Sequence, residues 1–255
     1  MNVLVNCFTD QGRYKSKNED SLLVQVADTS IGILTLAVIC DGMGGLQKGE
    51  LASATVIRAF DAWFKEEFPL QLKHFTIHIV KIRWEEMIHE LNLKIREYGK
   101  QQHVHLGTTL TAMLLVDEVG LLIAHVGDSR AYEITENVRI LTNDQTLVAR
   151  EVKRGVITEE QALSDPRQHV LLQCIGESKN VNPDFIIERS KKNCTYMLCS
   201  DGFRHKISME EIKEKLSAEK LENDQQIKTQ LQGLAALCME RKEKDNISAI
   251  AIRTL

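Results

Sequence analysis

Acidic residues in this chain recur beside strongly apolar runs. Asp41 follows "ILTLAVIC", Asp201 follows "TYMLC" and one serine, and Asp128 follows "LLIAHVG". Asp245 precedes "NISAIAI", and Glu19 with Asp20 precedes "SLLVQVA". In antiparallel neighbours the end of one strand lies beside the start of the next. Acids that close some strands and open others therefore collect at one rim of a sheet. Carboxylates gathered there repel one another, and burial raises their pKa values further. The same segments hold no matching number of Lys or Arg. A hard divalent cation would settle the conflict, because Mg2+ or Mn2+ prefers carboxylate, carbonyl and water oxygens. Any one Asp-Gly is an ordinary turn signal; the recurrence favours an acidic metal cluster. Gly42 fits that chemistry: a side chain there would crowd a metal or its waters, and glycine leaves its carbonyl free as a ligand.

The elements that must position these acids are legible from periodicity. Apolar residues at helical spacing predict a helix over 48–66 (Ala52, Val56, Ala59, Phe60, Trp63). A second helix is predicted over 76–99 (Ile77, Val80, Trp84, Met87, Ile88, Leu91, Ile95, Tyr98). The stripes, aromatics included, read as faces packed on a sheet. "TTLTAMLLV" (108–116) and "LLIAHVGDSRAYEI" (121–134) flank "DEVG", which predicts a hairpin with a four-residue loop. Further strands are expected at 20–27, 33–40, 183–189, 195–199 and 246–253. Residues 143–180 are charged and mixed in pattern, and read as short helices and loops laid over something else. Strands and helices are segregated and neighbouring strands are mostly hairpin-linked, so the expected class is α+β, with antiparallel sheets and helices outside them.

The totals narrow the function classes. A chain of 255 residues, 43% hydrophobic and 27% charged, has ample length for a core. The net charge of −4 gives no support for bulk binding to nucleic acid. The start "MNVLVNCFTD" lacks the form of a signal peptide. No apolar stretch approaches the roughly 18–20 residues of a membrane span; the longest, around 31–40, is broken by Gly32 and Thr35. The six cysteines (Cys7, Cys40, Cys174, Cys194, Cys199, Cys238) form no C-x-x-C pair and read as buried thiols in a reducing cytoplasm. The pairs His103/His105 and His74/His78 have no third ligand nearby in sequence, so neither reads as a zinc site.

Six motifs in order carry a further signal: "TDQGRYKSKNEDS" (9–21), "CDGMGG" (40–45), "GTTLTAML" (107–114), "HVGDSRAY" (125–132), "CSDGF" (199–203) and "KDNISAI" (244–250). Together they resemble the metal-dependent Ser/Thr protein phosphatases, the PPM or protein phosphatase 2C family, in its bacterial single-domain form. The likeness spans about 10 to 250, and residues 141–176 resemble the family's flap. It implies one domain over 1–255, with a flap at about 143–180, folded as a four-layer α-β-β-α sandwich of two mostly antiparallel sheets. It implies two Mn2+ or Mg2+ ions per active site, with a third, weaker site possible in this family. Asp41 would bridge the metals and the carbonyl of Gly42 would bind one. Asp201 and Asp245 would complete the first site, Glu19 and Asp20 would serve the second directly or through water, and Asp128 matches the third. Asp41, Asp201 and Asp245 would be the catalytic acids. The implied reaction is hydrolysis of phosphoserine and phosphothreonine on proteins by a metal-activated water, without a covalent phosphoenzyme. The implied partners are phosphoproteins and a bacterial Ser/Thr kinase whose products the enzyme reverses. A cytoplasmic monomer without nucleic acid or a membrane span is expected.

Two departures from the family pattern stand out. Met43 occupies the place where animal members usually carry a histidine proposed as general acid, so the leaving oxygen would take its proton from water or another group. Lys15 stands where the family has a phosphate-binding Arg, and a point charge replaces a two-pronged planar fork. Arg13 lies two residues earlier and in an extended strand would share a face with Lys15, which makes it a candidate to take over the contact. The alternatives are a dedicated phosphatase of one partner-switching regulator, or a non-catalytic member that binds phosphoproteins or metal. Lys15 alone favours the latter.

Overall fold

The computed structural model describes residues 2–43, 48–117 and 119–255. Gly44 and Gly45 of "CDGMGG" and Glu118 of the hairpin loop lie outside the described residues. In chain order the strands are β1 (Val3–Asp10), β2 (Ser21–Thr29), β3 (Gly32–Cys40), β4 (Leu110–Val116), β5 (Gly120–Val126), β6 (Arg130–Ile134), β7 (Val138–Ile140), β8 (Asp184–Glu188), β9 (Thr195–Cys199) and β10 (Ile247–Thr254). The helices are α1 (Gly49–Ala62), α2 (Phe68–Gln71), α3 (Ile77–Gln102), α4 (Leu147–Lys153), α5 (Glu159–Ser164), α6 (Asp201–Arg204), α7 (Met209–Leu216) and α8 (Asp224–Glu240).

The strands form two five-stranded sheets, ordered β1-β10-β9-β6-β7 and β2-β3-β4-β5-β8, and the pairings within them are antiparallel. Strand parity explains the layering, because alternate side chains face opposite sides of a sheet. Leu34, Leu36, Val38 and Cys40 of β3 pack on Val56, Phe60, Trp84 and Ile88 of α1 and α3. Ala37 and Ile39 point the other way, into a core shared with Leu198 and Ile250 of the second sheet. On that sheet Met197, Cys199, Ala249 and Ala251 face Ile212 of α7 and Leu231 and Leu234 of α8. The result is helix, sheet, sheet, helix, the α-β-β-α sandwich expected. Trp84 anchors the first helical layer, meeting Phe60 and Trp63 edge-on at 5.2 and 5.5 Å between ring centres.

Three local expectations need correction. The run 121–134 is not one strand. β5 ends at Val126 in one sheet and β6 begins at Arg130 in the other. Gly127, at φ +108°, makes the crossing, and a Cβ there would sit 2.6 Å from a methyl of Thr109. The loop of the β4/β5 hairpin is one residue shorter than expected, because Gly120 pairs with Val116. β1 was not among the expected strands; its side chains are largely half-buried, so its alternation is weak. The helix expected over 48–66 is α1 running into a wider π-helical turn at Trp63–Glu67. Residues 143–180 hold the short α4 and α5 and little other regular structure, as expected. The five described cysteines other than half-buried Cys7 are buried, and all six are free thiols.

Candidate metal centre

The register brings the acids to one rim. Ser21 pairs with Cys40, so Asp20 and Asp41 sit side by side just past that pair. Cys199 lies between Arg130 and Ala249 as their common partner, which gathers Asp128, Asp201 and Asp245 at the corresponding end of the second sheet. The two sheets face each other, and Asp41 is placed among the charges of Asp20, Asp201, Asp128 and Asp245.

The backbone here is fastened closely. The carbonyl of Asp41 accepts from Thr108 Oγ1 and from the amide of Thr109, both at 2.9 Å, while its own amide donates to Thr109 Oγ1 at 3.0 Å. Thr109 also bonds Ser129, beside Asp128, at 2.9 Å. The carbonyl of Glu19 accepts from Ser53 at 2.6 Å and from the Gly42 amide at 3.2 Å. Asn246 ties three points together: its Oδ1 accepts from the Glu19 amide at 2.9 Å, and its Nδ2 donates to the carbonyls of Gln11 and Lys17 at 2.8 and 2.9 Å. Gly42 is required for a reason other than metal crowding. A Cβ there would come within 2.5 Å of the Glu19 carbonyl oxygen and 2.6 Å of the Gly49 carbonyl. The glycine lets three backbone segments meet.

The charges are poorly compensated. Glu19, Asp20, Asp128 and Asp201 are buried, and Asp41 and Asp245 half-buried. Both carboxylate oxygens of Asp20 and Oδ1 of Asp201 are buried without a hydrogen-bond partner. Burial, with Asp201 and Asp245 nearby, pushes Asp20 up to about 7 against the opposing pull of the Ser248 and Ser200 hydroxyls. Burial and Asp201 do the same to Asp128, also to about 7. Burial and the neighbouring carboxylates raise Asp41 well above the usual range, and burial raises Glu19. Asp201 goes the other way: burial pushes it up, but His169, His205 and Arg204 outweigh that and hold it low. Unpaired, buried oxygens of this kind are what hard cations coordinate. The donor set fits Mn2+ or Mg2+, with Asp20, Asp41, Asp201, Asp245 and Glu19 as the residues that could hold them.

Lys15 lies inside this group. Its Nζ is 2.7 Å from Asp245 Oδ1. Burial lowers the lysine's pKa, and the carboxylates of Asp245, Asp41 and Glu19 outweigh it and raise it. Arg13 does not share its face, which corrects the expectation of an extended strand. β1 stops at Asp10, and residues 12–14 form a turn in which the Gly12 amide donates to Asp10 Oδ1 at 2.7 Å. Arg13 is exposed on that turn.

Several neighbours were missed by sequence reasoning. His169 Nδ1 and His205 Nε2 lie 3.6 and 3.7 Å from Asp201 Oδ2. Arg204 donates to the Asp128 carbonyl at 3.0 Å and to Asp144 at 3.2 Å, and Asp144 is held by a two-pronged contact with Arg130 at 2.8 Å. Arg130, in "GDSRAY", was in plain view; its partner Asp144 could not be named without the fold.

Acids brought to one rim between two facing sheets make a candidate metal centre, and the comparisons give the chain a family. The family model of protein phosphatase 2C matches residues 11–249. The chain belongs to the protein phosphatase 2C family. It is 32% identical over 216 residues to the serine/threonine phosphatase stp of Listeria monocytogenes, covering 83% of this chain and 82% of that one. The serine/threonine phosphatase Stp1 of Staphylococcus aureus superposes with a TM-score of 0.87 at 29% identity, over 100% of this chain and 96% of that one. The catalytic domain of the phosphatase PstP, solved with two manganese ions, has a TM-score of 0.78 at 25% identity, over 99% of both chains.

Proposed function

We propose that this chain is a Mn2+- or Mg2+-dependent protein phosphatase that removes phosphate from phosphoserine and phosphothreonine on proteins. The observation that carries the reading is the rim of buried carboxylates with orphaned oxygens on Asp20 and Asp201. In this reading Asp41 and the Gly42 carbonyl, with Asp201 and Asp245, would hold the first ion. Glu19 and Asp20 would serve the second directly or through water, and Asp128 would serve a third, weaker one. When bound, the ions supply an activated water and positive charge that offsets charge developing on the phosphoryl oxygens. Lys15 binds and orients the phosphate as a single point charge. Thr108, Thr109 and Asn246 fix the backbone under the acids. Met43 offers no proton, so the leaving serine or threonine oxygen takes its proton from water or another group.

The chain acts on phosphoproteins made by a Ser/Thr kinase, as a single domain with residues 143–180 as a flap beside the site, and works as a monomer in the cytoplasm. Among the described residues no helix is long and apolar enough to cross a membrane. The names of its relatives support catalysis over the non-catalytic alternative. The test is hydrolysis of p-nitrophenyl phosphate and of a phosphothreonine peptide with Mn2+, with EDTA, and for Asp41→Asn. Turnover with Mn2+ alone is expected; activity that survives EDTA, or that the variant retains in full, sinks the reading.

A further inference from the structure

Beside the acidic rim, three side chains from two segments present ligand atoms that all lie within 4.8 Å of one another: His169, Asp201 and His205. His169 comes from the 143–180 segment, Asp201 opens α6, and His205 follows that helix. The two imidazole nitrogens are 3.6 and 3.7 Å from the same oxygen, Asp201 Oδ2. Those separations are too long for hydrogen bonds. They are close to the roughly 3.4 Å edge of a tetrahedron built from ~2.1 Å metal bonds. The rings meet edge to face, at 5.2 Å and 75°, so neither stacks over the other's nitrogens.

Two further observations point to a cation. The other oxygen of Asp201, Oδ1, is buried and has no hydrogen-bond partner, so the carboxylate can face the acidic rim with one oxygen and the imidazoles with the other. Behind His205, Glu243 Oε2 lies 3.9 Å from Nδ1, and it too is buried without a hydrogen-bond partner. A carboxylate behind a histidine is the outer-shell arrangement that orients an imidazole toward a metal. Glu243 is held by its Oε1, which accepts from the amides of Lys244 and Asp245 at 2.7 and 3.1 Å.

We propose that His169, Asp201 and His205 form a zinc site, joined to the all-oxygen rim through Asp201 and set apart from it by its two imidazoles, that ties the 143–180 segment to α6. Nitrogen donors select a borderline ion such as Zn2+ over Mg2+. Three protein ligands leave a fourth position for water. Asp128, the residue that the family resemblance links to a third metal, is not one of these three. The inference goes beyond the phosphatase reading and shares only Asp201 with it.

The test loads the full-length protein with Mn2+, adds one equivalent of Zn2+, and reads zinc affinity by chelator competition and zinc ligation by X-ray absorption. The rim offers no imidazole, so outer-shell imidazole scattering reports on this site. Wild type is expected to show two imidazoles per zinc. His169→Ala, an exposed position that leaves the core intact, and His205→Ala are each expected to weaken zinc at least about 100-fold. Glu243→Gln, which keeps Oε1 for its amide bonds, is expected to weaken it by about 10–100-fold. An all-oxygen zinc environment in wild type overturns the proposal, as does unchanged zinc affinity in His169→Ala. Manganese-dependent hydrolysis measured in parallel without zinc separates failure of this site from failure of the phosphatase reading.

Discussion

Replacing Asp20 by Asn should make the metal-free protein more stable at alkaline pH, although it damages the site. The Asp20 carboxyl titrates at about 7 in the fold in place of 3.8, because it is buried beside other acids. At about 1.4 kcal/mol per pH unit, ionising it inside the fold costs about 4 kcal/mol relative to the unfolded chain. The sign follows from proton counts: between about pH 4 and pH 7 the folded state holds a proton that the unfolded state has lost. Stability contributed by the protonated group is therefore complete below pH 4 and falls as pH rises to 7. At pH 8 the whole cost is present. An amide at this position carries no charge but leaves its own polar atoms short of partners, at about 1–3 kcal/mol. The net gain for Asp20→Asn at pH 8 in EDTA is about 1–3 kcal/mol, or about 2–10 °C in melting temperature for a chain of this size. At pH 4.5 the order reverses, because the wild-type carboxyl is then largely uncharged in the fold. Saturating Mn2+ at about 100 times its Kd should return about 2.7 kcal/mol to wild type and much less to the variant. Thermal melts at both pH values, with EDTA and with Mn2+, check this. An Asp20→Asn variant that melts below wild type in EDTA at pH 8 would refute the reasoning, as would equal stabilisation of both by Mn2+.

Other expectations follow from single contacts. Lys15→Met removes the cation paired with Asp245 and should lower kcat/KM on a phosphopeptide by about 10–100-fold, the worth of one charge-assisted contact, while Arg13→Ala leaves it unchanged; steady-state kinetics of both variants decide. Asn246→Ala breaks bonds to Glu19, Gln11 and Lys17 together and should weaken Mn2+ binding and slow hydrolysis by at least about tenfold, at about 1 kcal/mol or more per buried bond lost; a Mn2+ titration of activity reads it. Trp84→Ala empties the centre of the α1 and α3 layer and should destabilise by about 3–5 kcal/mol, visible as a lower urea midpoint, with no change in Mn2+ dependence while the chain remains folded.

The acids were legible because strand-end position is a one-dimensional property. Asp41, Asp128, Asp201 and Asp245 each sit within a few residues of an apolar run, and antiparallel pairing does the rest. The break at Gly127 was not legible: an apolar run with one Gly reads the same whether the strand continues or crosses to another sheet, and the contact with Thr109 that settles it is distant in sequence. The extended strand expected through Arg13 failed for a similar reason, since the turn at 12–14 depends on the Asp10 side chain turning back to the Gly12 amide. His169 was invisible because it reaches Asp201 only through the fold of residues 143–180, whereas His205 stands four residues after Asp201, one helical turn on, and was in plain view once a helix there is known. Periodicity supplied the α+β class with antiparallel sheets and helices outside them, and the resemblance to the phosphatase family supplied the four-layer sandwich and the roles.

The most direct test measures phosphate release from a phosphothreonine peptide against manganese bound per chain, for wild type and Asp41→Asn. Wild type should be inactive when stripped and reach its full rate as two ions bind, and the variant should stay near the stripped rate at every loading. Full hydrolysis by protein carrying less than about a tenth of an ion per chain would contradict the account, because the rim of Glu19, Asp20, Asp41, Asp201 and Asp245 would then be doing no chemistry.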